Sequence, residues 1–270
     1  MKDYLNKDCT RLKDKKLFLF DQDGTLYNGD TLFDGAKEIV AYANQKGKGV
    51  FVTNNSSKSV GDYVAKLKNM GINCQESDFY TSTDATIAYL KANHPQKKVY
   101  CVGTDSLLAQ LKEGGICLVQ PKEAEILLVG YDTQLTYQKL VDASWLLTTK
   151  DVPFVATNCD LVCPIKFGFV PDCGSFCKML TTATGKKPTY VGKPEKDMVQ
   201  FALQKFGFEP SDAVLLGDRL YTDIQCGANA GIETICFLSG EATLTDIENY
   251  PTKPTFVFEN VAQLINLLKN

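Results

Sequence analysis

Leu17, Phe18, Leu19 and Phe20 form an unbroken apolar run that stops abruptly at Asp21. Four consecutive apolar residues do not suit a strand with one wet face. They need cover on both sides, which a chain supplies by packing helices on the two faces of a parallel sheet. The run therefore predicts an α/β fold with this strand near its centre. In such sheets ligands bind beyond the carboxyl ends of the strands, where residues 21–25, DQDGT, begin. Asp23 follows two positions after Asp21, and Gly24 permits a turn sharp enough for both carboxylates to face one small space. Two acids so placed suit a divalent cation, or a division in which one stays ionised and the other holds a proton.

An Asp-x-Asp-Gly stretch also occurs as a plain solvated turn. A calcium loop of the EF-hand type begins in the same way, but it wants Gly at its sixth position and Glu at its twelfth. Here those positions are Leu26 and Leu32, which rules it out. Gln22, between the acids, points away from both in an extended chain and is given no chemistry.

The rest of the chain keeps the alternation that the first strand implies. Strands are expected at 49–52, 99–102, 126–129, 154–156, 190–194, 213–216, 232–238 and 255–258. Helices fall between them, one capped by Asp34 and another by Thr83, with a loop or small hairpin over 27–33. Residues 159–174 carry two prolines and two glycines without a clear period and are expected to be a loop of functional length. No low-complexity linker interrupts the 270 residues. A second domain would then be an insertion, with crossings near residues 80 and 187.

Composition removes several kinds of chemistry. The formal charge of −3 is spread over interspersed acids and bases, so no basic face for nucleic acid is expected. No run nears the roughly 20 apolar residues that span a bilayer, and the opening MKDYLNKDCTRLKDKK lacks the apolar segment of a secretory signal, so a cytoplasmic protein is expected. His94 is the only histidine and stands beside Pro95, which argues against serine–histidine triads and phosphohistidine chemistry. The two arginines, Arg11 and Arg219, have no cysteine six positions before them, so the thiolate-phosphatase pattern is missing. Pro194 after Gly192-Lys193 excludes a P-loop. The ten cysteines read as reduced thiols, with Cys101, Cys117, Cys226 and Cys236 in core elements. Cys159, Cys163, Cys173 and Cys177 form C-x3-C-x9-C-x3-C, a spacing unlike the usual zinc ribbons or fingers.

Four of the expected strands end in residues that fit one reaction: Asp21 with Asp23, Thr53 with Asn54, Lys193, and Asp218 followed by Asp223. Phosphoryl transfer needs a nucleophile, counter-charge for the oxygens and a proton for the leaving group, and each has a candidate here. The stretches FDQDGT, VTNNS, VGKP and GDRLYTDI resemble, in order and spacing, the four motifs of the haloacid dehalogenase superfamily. The segment between the second and third motifs is similar to the C2-type cap of subclass IIA, the NagD-like and 4-nitrophenyl phosphatase-like group.

The resemblance implies a doubly wound, mostly parallel core over 1–80 and 187–270, with an α/β C2-type cap inserted over 81–186. It implies Asp21 as the nucleophile that forms an aspartyl-phosphate, and Asp23 as the group that protonates the leaving alkoxide and then deprotonates water. Mg2+ is the implied cofactor, held by the Asp21 carboxylate, the Asp23 main-chain carbonyl, Asp218 and, directly or through water, Asp223. Thr53 and Asn54 would hold phosphate oxygens and Lys193 would neutralise charge. From the cap, Asn158 with Asp160 would face a small-molecule phosphate ester. A homodimer through the cap is likewise implied by resemblance alone. Two other functions stand beside a phosphatase: a phosphotransferase or phosphomutase of the same fold, and a phosphate-binding protein without turnover. Binding alone has no use for a proton-shuttling Asp23.

Overall fold

The structure, a computed structural model, describes residues 1–165 and 167–269. They divide into two compact units: residues 1–53, 60–80 and 193–269 form the first, and 54–59, 81–165 and 167–192 the second.

A parallel six-stranded sheet dominates the first unit, in the order Phe256–Phe258, Glu233–Phe237, Ala213–Gly217, Leu17–Phe20, Lys48–Thr53, Phe79–Thr81. Leu17–Phe20 pairs with Ala213–Gly217 on one side and with Lys48–Thr53 on the other, both in parallel. The chain fills one side of this strand first and returns over a hundred residues later to fill the other, so the winding reverses beside it. All four residues of the LFLF run are fully buried, as an apolar stretch covered on both faces must be. Phe18, Phe20, Phe51, Phe79 and Tyr63 pack in succession, with ring centroids 4.9 to 6.3 Å apart. Offset and tilted pairs of this kind add to what area burial alone contributes.

Tertiary packing changed one helix start. Helix Ala36–Lys46 is preceded not by an Asp34 cap but by Gly35, with φ of 83°. A side chain at Gly35 would collide with the main chain of Ala262 in helix Val261–Lys269, so the close approach of the two helices selects glycine there. At the sheet's edge, the Tyr4 N–H donates to the Val257 carbonyl at 2.8 Å, and the Asp3 carboxylate accepts from the Val257 N–H at 3.1 Å. The N-terminal segment thus pairs a strand edge that would otherwise be open.

The second unit has its own parallel sheet, ordered Thr189–Tyr190, Phe154–Ala156, Ile126–Val129, Val99–Val102. Helices Ser82–Asn93, Asp105–Glu113, Tyr137–Thr149 and Cys173–Thr184 accompany it. Thr81, not Thr83, caps the first of these. Its hydroxyl accepts from the Asp84 N–H while the Asp84 carboxylate accepts from the Thr81 N–H, a reciprocal pair that Thr83 cannot form. The expected loop over 159–174 contains an antiparallel ribbon, Val162–Ile165 with Gly168–Pro171; residue 166 lies outside the described residues. Its alternation was hidden because both faces of the ribbon carry exposed apolar residues, Val162 and Phe169 on one and Ile165 on the other. All ten cysteines are free thiols, and Cys117, expected in the core, is exposed. Among the described residues no helix is long and apolar enough to cross a membrane.

Phe51, 1 % exposed in the middle of the aromatic row, gives a direct test of this packing. Phe51→Ala is expected to lower unfolding free energy by about 3–5 kcal/mol in urea titrations. Tyr137→Ala, at an exposed helix position, should change it by less than about 0.5 kcal/mol.

Candidate active site

Asp21 leaves the end of Leu17–Phe20 as the sheet's winding reverses, and its side chain is 17 % exposed. Asp218 follows the neighbouring strand Ala213–Gly217 and is buried. Asp223 comes from a widened helical turn, Leu220–Ile224, in which the Ile224 N–H reaches back five residues to the Arg219 carbonyl at 3.2 Å. Such turns re-aim side chains and recur at functional sites. Here the turn directs Asp223 inward against Gly217, where an added Cβ would strike the Asp223 side chain. Carboxylate oxygens of Asp21, Asp218 and Asp223 lie within 4.8 Å of one another.

Lys193 completes the group. Its buried ammonium donates to Asp21 Oδ1 and Asp223 Oδ1, each at 2.6 Å. It does not arrive on a core strand, contrary to the sequence expectation. The strand near residue 190 is Thr189–Tyr190 and belongs to the second unit's sheet, where the Val191 and Gly192 N–H groups donate to the Ala156 and Thr157 carbonyls. Gly192 permits that close approach, since a Cβ would meet the Thr157 carbonyl oxygen, and the chain then leaves the sheet for Lys193.

Burial and the neighbouring carboxylates set the electrostatics. Asp21 is pushed up to about 6, first by burial and then by the Asp223 charge, against the opposing pull of Lys193. Asp218 is pushed further, to about 8, by burial and by the charges of Asp21 and Asp223. Burial would lower the Lys193 ammonium, but the charges of Asp21 and Asp223 outweigh it and hold it above its ordinary value. Three carboxyls share one hydrogen-bonded ammonium in a space that disfavours charge, and the raised values of Asp21 and Asp218 reflect how poorly full ionisation is compensated there. Asp218 adds a structural sign: its Oδ2 accepts from the Glu241 N–H at 2.8 Å, while its Oδ1 is buried with no hydrogen-bond donor. An oxygen-rich cluster whose carboxyls lack enough counter-charge to ionise fully, with an unsatisfied carboxylate oxygen, fits a hard divalent cation.

The remaining expected site residues are distributed differently. Asp23 is exposed and its carboxylate is not one of the clustered three; its Oδ1 accepts from the Gly29 N–H at 3.3 Å. Thr53 ends strand Lys48–Thr53 beside the Asp21 strand end. The Asn54 carboxamide donates to Asp160 Oδ2 at 2.8 Å. Asn158, expected to meet substrate, is 1 % exposed. Its carboxamide donates to Asp160 and Asp172 and accepts from the Thr157 hydroxyl, so this side chain is taken up in holding the second unit's strand end together. Cys159, Cys163, Cys173 and Cys177 do not converge as metal ligands; among the described residues the three aspartates are the one such grouping.

Two glycines at the site gave no sign of their contact with Asp218. A Cβ on Gly24 or on Gly240 would land on the Asp218 carboxylate, so both are needed to leave it room. Gly24 was legible only as a turn residue. Gly240 follows the distant strand Glu233–Phe237, and nothing in its neighbourhood announces Asp218.

Comparison with known proteins places the chain in a family. A profile for haloacid dehalogenase-like hydrolases matches residues 18–117, and a HAD-hydrolase-like profile matches residues 190–264. An acid sugar phosphatase of Staphylococcus aureus is 34% identical over 255 residues, spanning 94% of this chain and 98% of that protein. Among solved structures, a 4-nitrophenylphosphatase from Thermotoga maritima superposes with a TM-score of 0.89 at 37% identity, over 95% of this chain and 98% of its own. NagD from E. coli K-12 gives 0.86 at 32% identity, over 92% and 98%. The chain belongs to the haloacid dehalogenase-like hydrolases, in the NagD and 4-nitrophenylphosphatase group of phosphoric monoester hydrolases.

Proposed function

We propose that this protein hydrolyses small-molecule phosphate monoesters through an aspartyl-phosphate at Asp21, with Mg2+ as its divalent ion. The observation that carries the reading is the Lys193 ammonium, held 2.6 Å from both Asp21 and Asp223 in a cluster that includes Asp218. A carboxylate intended as a nucleophile toward a phosphate must have the repulsion between the two anions removed, and this arrangement supplies the counter-charge at Asp21 itself.

An Asp21 oxygen attacks phosphorus as the ester P–O bond breaks, and the electrons of that bond leave with the alkoxide. Asp23 delivers a proton to that oxygen. In the second half, Asp23 takes a proton from the water that attacks the phosphoaspartate, which frees phosphate and restores the Asp21 carboxylate. Thr53 and Asn54, adjacent at their strand end, would hydrogen-bond phosphate oxygens. Asp21, the Asp23 carbonyl, Asp218 and Asp223 would hold the metal, whose charge would polarise the phosphate and offset the negative charge of the cluster. The second unit is taken as an inserted C2-type cap. The acid sugar phosphatase and nitrophenylphosphatase relatives support small esters as substrates.

Phosphate release from 4-nitrophenyl phosphate with Mg2+ should fall by about a thousandfold or more in Asp21→Asn, and wild-type release should stop on chelation. Full activity in that variant would remove Asp21 as the nucleophile. Asp23→Asn should slow alkyl phosphates by about a hundredfold or more, and an aryl phosphate far less, because a good leaving group needs little protonation. Equal losses on both esters would exclude the general-acid role.

The pH dependence follows from the raised carboxyls. Asp21 at about 6 and Asp218 at about 8 exceed the ordinary 3.8, so the folded metal-free protein binds more protons than the unfolded chain between those values. Its stability should therefore fall as pH rises through that window. Metal must displace those protons, so the rise in melting temperature on adding Mg2+ should be larger above pH 8 than below pH 6. A pH-independent shift in a thermal melt would show that these carboxyls are not the ligands.

A further inference from the structure

Gln22, between the two acids of the first motif, is 4 % exposed. Its Oε1 accepts from the Tyr27 hydroxyl at 3.2 Å, and its Nε2 is buried with no hydrogen-bond partner. Burying an amide with half its capacity unmet is unfavourable, and a leucine could occupy such a place without that cost. Tyr27 is itself 3 % exposed and lies under the Lys66 ammonium, 3.9 Å from the ring centroid.

The pair ties two pieces of chain together. Tyr27 opens the hairpin Tyr27–Asn28 with Thr31–Leu32, and its carbonyl accepts from the Gly24 N–H at 2.8 Å. Gly29, at the hairpin's turn, donates its N–H to Asp23 Oδ1 at 3.3 Å. The Gln22 carbonyl meanwhile accepts from the Leu26 N–H at 2.8 Å. The hairpin therefore meets the acid loop at two side chains: it grips Gln22 through a hydroxyl at its base and Asp23 through a main-chain N–H at its tip. Burial and the charges of Asp21 and Asp23 raise the Tyr27 phenol well above its ordinary value, which keeps it a donor to Gln22.

We propose that Gln22 and Tyr27 are positioning residues for the leaving-group proton: their buried hydrogen bond fixes the hairpin so that Gly29 holds the Asp23 carboxylate in the orientation that meets the departing oxygen. The proposal rests on the reading of Asp23 as proton donor. Neither side chain touches the phosphorus, so loosening their bond should affect esters that need protonation and spare the attack by Asp21.

Tyr27→Phe keeps the ring under Lys66, and Gln22→Leu removes the amide at similar size, so neither opens a large cavity. The measurement is kcat for glycerol phosphate relative to kcat for 4-nitrophenyl phosphate. Each variant is expected to lower that ratio about tenfold with KM changed by less than about twofold. The double variant should fall no further than either single, because both remove the same bond. Equal loss on the two esters, or full additivity in the double variant, overturns the proposal. Asp23→Asn, assayed alongside, separates the failures. If it leaves the ratio unchanged, the general-acid reading fails and takes this proposal with it. If it collapses the ratio while Tyr27→Phe and Gln22→Leu do not, only the positioning role fails.

Discussion

The buried ammonium of Lys193 between Asp21 and Asp223 is the contact on which the first unit's carboxylate cluster depends. Carboxylates drawn together away from water repel one another and favour their protonated forms, as the raised values of Asp21 and Asp218 reflect. A single positive charge, hydrogen-bonded to two of the three, makes the cluster tenable without filling it. Carboxyls that hold their protons for want of more positive charge, and one unsatisfied Asp218 oxygen, both invite a cation. Ion pairs of this kind are poor contributors to net stability, because desolvation opposes the Coulombic gain. Their presence here is better explained by chemistry than by folding.

Rigid surroundings hold the cluster in place. The Asp21 strand is locked on both sides by parallel neighbours, and the aromatic row behind it fills the space beneath. Asp218 leaves an adjacent strand, and the widened turn after it swings Asp223 across Gly217 to the same place. The absence of side chains at Gly24 and Gly240 leaves room for the Asp218 carboxylate. Reactive groups borne on strand ends with packed supports keep their geometry better than groups on free loops. Asp23 is different: it is exposed, and its neighbours are a short hairpin and a turn. As the proposed proton donor, Asp23 would meet different leaving oxygens from the site's accessible side, and the Gln22–Tyr27 bond would limit how far it moves.

Much of this was legible along the chain. The LFLF run required cover on two faces, and the strand it forms is fully buried. The acids after Leu17–Phe20 and Ala213–Gly217 were readable because a strand leaving an apolar core into polar residues marks its own end. Elements defined by local chemistry were recovered to within a few residues. Misreadings came where distant chain intervened, as with Gly35 in place of Asp34 because Ala262 packs against it. The Val162–Ile165 ribbon was hidden because it lacks a buried face to impose alternation.

The sequence alone determined the α/β alternation, the central strand and which acidic residues stand at the strand ends, because those follow from apolar runs and from residue chemistry at their ends. Only the tertiary structure decided that Lys193 reaches Asp21 from a crossing segment outside the core sheet, that Gly240 makes room for Asp218, and that Gln22 is tied to Tyr27. Each of those depends on approaches between segments that are separate in the chain or folded back on themselves. Distances of that kind are set by packing, and no local pattern of residues encodes them.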